Sequence, residues 1–60
     1  MAEYYVSYKK DFVPIGFFTE FLNKKKAVAH AKYLSENFPV YDVKVWKHEF
    51  KKEDEVVFSI

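Results

Sequence analysis

The sequence predicts an α+β domain of order ββαββ, a four-stranded, mainly antiparallel sheet with one helix packed on one face. Three observations carry this. Two alternating runs flank Val13-Pro14-Ile15-Gly16, a helical stripe of Ala27, Ala31 and Leu34 follows, and two further alternating runs enclose the charged stretch Lys51–Glu55. Residues 1–60 read as a single domain, with no repeat, linker or low-complexity segment.

The first hairpin has a turn with a mechanism. Pro14 sits where φ near −65° is wanted and Gly16 takes the fourth position that a type I turn prefers. With Val13 opposite Gly16, Phe12 meets Phe17 and Tyr8 meets Phe21, while Lys9 meets Glu20 on the other face. Aromatic pairs then share one side and an ion pair the other, as cross-strand energetics favours. The core side is expected to hold Tyr4, Val6, Tyr8, Phe12, Phe17 and Phe21. A plain type I turn splays its strands, so a bulge near Asp11 is an alternative that shifts the register by one.

Asn23 is a good N-cap for the helix, and the small Ala27 and Ala31 let it lie close on the sheet. Lys25, Ala29, Lys32, Tyr33 and Glu36 point away. Asn37 suits a left-handed residue after the helix, Pro39 blocks continuation, and Phe38 is expected to fold back on the hydrophobic layer. In the second hairpin alternation assigns Tyr41, Val43, Val45, Val56, Phe58 and Ile60 to the core. Sheet order 2-1-3-4 is antiparallel throughout and permits a right-handed crossover; an order with the fourth strand beside the first is the alternative.

Composition narrows the function classes. A 60-residue chain buries about 60% of its unfolded surface, which leaves it marginal without a staple. There is no Cys, so disulfides and thiolate metal sites are excluded, and self-association is the remaining candidate staple. No segment is long and apolar enough to span a membrane and no signal peptide follows Met1, so a complete cytoplasmic protein is expected. All ten basic residues are Lys, and with the Phe and Tyr content this suits an AT-rich coding sequence.

Seven Phe, five Tyr and one Trp are more rings than one helix can cover. By parity the uncovered face collects Tyr5, Ser7, Phe18, Glu20 and Leu22 from the first hairpin, and Lys44, Trp46, His48, Phe50 and Val57 from the second. Scattered exposed aromatics are ordinary, but a contiguous patch with Trp and several Phe marks an interface. The expected partner-binding residues are Tyr5, Phe18, Leu22, Lys44, Trp46, His48 and Phe50. Trp46 and Phe50 are the anchors, in a homodimer or against a partner protein.

Other chemistries find less support. Lys24, Lys25 and Lys26 oppose the helix dipole in the first turn and are a weak anion-binding candidate, against the plainer reading of a solvated Lys-rich face. His30 and His48 lack the converging ligands of a metal site, so neither metal nor cofactor is expected. The single Gly precludes a glycine-rich phosphate loop, and no nucleophile has an evident base; no catalytic residue is assigned and an enzyme is not expected.

Single-stranded nucleic-acid binding is the alternative function, through sheet aromatics interleaved with Lys. Charge weighs against it. Two Lys face three acidic residues in 1–23, four face one in 24–38, and four face five in 39–60, so the positive excess lies on the helix, away from the aromatic face.

Two hairpins with "FLNKKKAVAHAKYLSENFP" between them and a "YDVKVW" third strand resemble small uncharacterised proteins of low-GC bacteria and their phages. The resemblance covers the whole chain as a layout and carries over no functional residue. What it implies is a small domain that docks on another protein, such as a phage product modulating a host protein.

Overall fold

The computed structural model describes residues 2–13 and 16–60. Strands β1 (Glu3–Lys10) and β2 (Phe17–Phe21), helix α1 (Lys24–Asn37), and strands β3 (Val40–His48) and β4 (Glu55–Ser59) follow in chain order. The sheet runs β2-β1-β3-β4 with every pairing antiparallel, the first of the two orders that the sequence left open. The two longest strands occupy its centre, and α1 lies across one face.

Asn23 caps α1 by accepting the Lys26 N–H at 3.3 Å, and Ala27, Ala31 and Leu34 are buried against the sheet. They close on Val6, Val43 and Val45, with Tyr4, Tyr8, Phe21, Val28, Val40, Val57 and Phe58 packed around them. Val6 and Val45 are fully buried and directly opposite each other in neighbouring strands. The helix ends differently from expectation. Asn37 remains helical and donates from Nδ2 to the Tyr33 carbonyl at 2.9 Å. Pro39 demands an extended residue before it, and Phe38 takes that role at φ −135°, so no left-handed residue is used. The Phe38 ring stands edge-on to Tyr33 at 5.8 Å, partly exposed, instead of joining the core.

The first hairpin pairs four residues away from the expected register: Tyr8 faces Phe17 and Tyr4 faces Phe21. An even shift preserves each residue's face, so Tyr4, Val6, Tyr8 and Phe21 keep the helix side and Phe17 stacks on Tyr8 at 5.5 Å. Lys9 does not meet Glu20; it reaches Asp42 on β3 at 3.3 Å, and Glu20 lies opposite Tyr5. The connection is longer than a two-residue turn, which would splay the strands against their twist. Lys10 accepts the Val13 N–H at 3.3 Å. Phe12, inside that turn, has φ 67° and is fully exposed, not core. Pro14 and Ile15 of the expected Val13–Gly16 turn lie outside the described residues.

Two bulges correct the second hairpin. Opposite β1, the register slips between Ser7 and Lys9, and Asp42 on β3 is left-handed at φ 55°. A one-residue slip exchanges faces. Val40 therefore packs against the core, and Tyr41, expected inside, is 49% exposed opposite Lys9. Between β3 and β4 the register slips again, since Val45 faces Phe58 but Trp46 faces Val56. The unmatched Val57 packs on the core, while Val56 turns to the open face at 44% exposure. Ile60 is also exposed, although its N–H still reaches the Val43 carbonyl at 3.0 Å. No helix of the described residues is long and apolar enough to cross a membrane.

Candidate functional site

The open face is built on neighbouring positions of β2, β1 and β3. The register places Tyr5 between Glu20 and Trp46, and Ser7 between Phe18 and Lys44. Tyr5 stacks on Trp46 with centroids 5.9 Å apart and planes 7° from parallel. On its other side Phe18 presents an edge-to-face contact at 6.1 Å and 72°. Aromatic pairs in these geometries contribute about 0.5–1.5 kcal/mol beyond area burial. The indole N–H of Trp46 donates to Ser7 Oγ at 2.8 Å, so the ring is fixed in orientation as well as position.

A polar clasp closes one end of the cluster. Tyr5 donates its phenol proton to Asp54 Oδ2 at 2.8 Å, and His48 Nδ1 lies 2.6 Å from Asp54 Oδ1. An ionised carboxylate only accepts, so Nδ1 carries the hydrogen. Asp54 comes from the β3–β4 turn and folds over the face, joining two side chains of adjacent strands. Each group's titration reflects this. Burial, and then the Asp54 carboxylate, push the Tyr5 phenol up to about 12. The hydrogen bond to Asp54 raises His48 above the usual imidazole value, with Glu3 and Glu20 adding to the pull. His48 and then Tyr5 hold Asp54 below the ordinary carboxylate range. At the other end Lys9 and Lys44 both bind Asp42, at 3.3 and 3.4 Å, and lower its carboxyl.

Beside the clasp opens a cleft of ≈ 430 Å³ lined by Glu3, Tyr4, Tyr5, Phe18, Glu20 and His48. Among the described residues neither Glu3 nor Glu20 forms an ion pair.

Of the seven residues assigned to the face from sequence, the fold gathers five. Tyr5, Phe18, Trp46 and His48 form the cluster with its clasp, and Lys44 stands over Trp46 with Nζ 6.0 Å from the ring. Leu22 lies just past β2, 77% exposed beside a hollow shared with Glu3, Glu20 and Phe21. Phe50 lies beyond β3 in the turn, 84% exposed, with Lys51 Nζ 5.6 Å from its ring centre. It makes no ring contact with the cluster among the described residues. Trp46 is half-buried by its own chain, so Phe18 presents the largest free ring of the cluster, at 63% exposure.

Alternation brought Ser7 and Glu20 to this face, yet neither was singled out; Asp54 and Val56 were missed. Asp54 belongs to a charged turn whose path no periodicity specifies, and Val56 follows from the bulge. Lys24 and Lys25 line a shallow groove on α1 with Val28, Ala29 and Lys32, and Lys26 gives its N–H to Asn23. His30 packs against Phe21 at 5.1 Å between centroids. No group of three or more metal-ligating side chains occurs among the described residues. Compared with protein-family models, with curated proteins and with solved structures, the chain matches none.

Proposed function

We propose that this chain is a small non-enzymatic interaction module that docks a polypeptide partner on its open sheet face. The observation that carries this reading is the pre-ordered aromatic cluster. Tyr5 and Trp46 are locked by stacking and by the Trp46–Ser7 and Tyr5–Asp54 hydrogen bonds, Phe18 meets Tyr5 edge-on, and Tyr5 and Phe18 border an open cleft. Rings held before binding lose little rotamer freedom when a partner arrives, which is how an interface side chain yields net affinity. Phe18, Leu22 and Val56 supply exposed apolar area around them. The carboxylates of Glu3, Glu20 and Asp54 beside the rings favour a protein partner over a nucleic acid, whose phosphates they would repel.

Peptide selection from a randomised library, followed by amide shift mapping, tests the reading together with sedimentation over a concentration range. Either selected peptides or a second copy should perturb Tyr5, Phe18 and Trp46, and Phe18→Ser should weaken that binding by about 2 kcal/mol. A protein that stays monomeric to about 1 mM and whose selected peptides map to α1 would remove the proposal.

A further inference from the structure

The cleft beside the aromatic cluster has a chemistry narrower than apolar docking. Its walls combine three aromatic residues, Tyr4, Tyr5 and Phe18, with two carboxylates, Glu3 and Glu20. His48, which also lines the cleft, is matched by Asp54, so a charged imidazolium there is balanced by its own carboxylate. The cleft therefore keeps the two negative charges of Glu3 and Glu20, which have no ion-pair partner among the described residues. Lys44, on the same face, is engaged at the other end by Asp42.

Aromatic faces and carboxylates attract the same kind of group: a cation that is flat, weakly hydrated and rich in donors. A guanidinium stacks on rings and donates to carboxylates through a planar fork, whereas an ammonium is a compact, strongly hydrated charge. We propose that this cleft receives an arginine side chain of the docked partner. The proposal rests on the docking reading above, and it also selects among occupants. All ten basic residues of the chain are Lys and none is Arg, so a second copy cannot supply the guanidinium and the partner is a different polypeptide.

The test uses three short acetylated, amidated peptides that differ at one central position: arginine, lysine or the uncharged isostere citrulline. Each is titrated into the ¹⁵N-labelled protein. The arginine peptide should shift Tyr5, Phe18, Glu20 and His48 with a dissociation constant in the range of about 1–10 mM. Citrulline should bind about tenfold more weakly and lysine several-fold more weakly. Binding should also fall with added salt, and in the Glu3→Gln/Glu20→Gln double variant, whose fold is checked by its unchanged spectrum elsewhere. Equal shifts from citrulline or lysine, or undiminished binding to the double variant, would overturn the arginine assignment. If library-selected peptides or a second copy still cover the face in that event, the docking reading stands without it. If nothing covers the face, both fall together.

Discussion

Trp46→Ala separates a ring that serves its own fold from one that waits for a partner. The indole donates to Ser7 at 2.8 Å, a partly buried hydrogen bond worth about 1 kcal/mol. Stacking on Tyr5 at 5.9 Å contributes about another 1 kcal/mol. Contact with Val56 and the sheet surface beneath adds apolar burial of about 1 kcal/mol for a half-covered ring. The sum, about 3 kcal/mol, is a large share of the roughly 3–9 kcal/mol expected for a 60-residue domain. Trp46→Ala should therefore shift the urea midpoint far down in circular dichroism. Trp46→Phe and Ser7→Ala should each cost about 1 kcal/mol and be less than additive together, because both remove one hydrogen bond. A cost below about 1 kcal/mol for Trp46→Ala would show that the indole is not held as described. The same reasoning makes Phe18, not Trp46, the residue for probing association, since Phe18 is mostly exposed and touches the cluster only by an edge.

Three further outcomes follow from particular contacts. His48 is held above 6.5 and Asp54 below 3.8. The clasp's contribution is therefore complete between those values, is lost as pH rises through the raised His48 midpoint, and is lost as pH falls through the lowered Asp54 midpoint. In Asp54→Asn, NMR titration should show His48 returning toward 6.5, while Tyr5 falls only part of the way from about 12 toward 10.0 because burial, its largest perturbation, remains. The β4 bulge is tested by a pair: Val56→Lys should be tolerated, whereas Val57→Lys should cost about 2 kcal/mol or more in denaturant unfolding. Equal costs would contradict the bulge. Asn23→Ala should lower stability by about 1 kcal/mol through loss of the N-cap, read as a drop in thermal midpoint.

The elements that could be read from sequence are those set by local chemistry. Asn23, the Ala27–Ala31–Leu34 stripe and Pro39 define a helix whatever surrounds it, and the alternation around Val6, Val43 and Val45 puts those residues inside. Sheet order stayed open between 2-1-3-4 and an order with the fourth strand beside the first, and the observed sheet has the former. What alternation cannot reveal is where it is interrupted. Asp42 and Val57 each insert one residue, and each exchanges the faces of the residues beyond it, moving Tyr41 and Val56 out and Val40 and Val57 in. Asp is among the residues that tolerate a left-handed conformation, so Asp42 in an otherwise apolar-alternating strand was the one available hint of a bulge. The first hairpin shows the opposite case, in which a four-residue error in register left every face correct except at Phe12, which the longer loop carried out of the sheet. At the candidate site, parity located the rings, but the Asp54 clasp depends on the path of a turn and on contacts 49 residues apart in sequence.

Amide shift mapping of a library-selected peptide on wild-type and Phe18→Ser protein tests the docking face most directly. Docking on the open face predicts perturbations centred on Tyr5, Phe18, Glu20, Trp46 and His48, and about 2 kcal/mol weaker binding in the variant with its fold intact. Perturbations centred on α1, or equal affinity for both proteins, would contradict it.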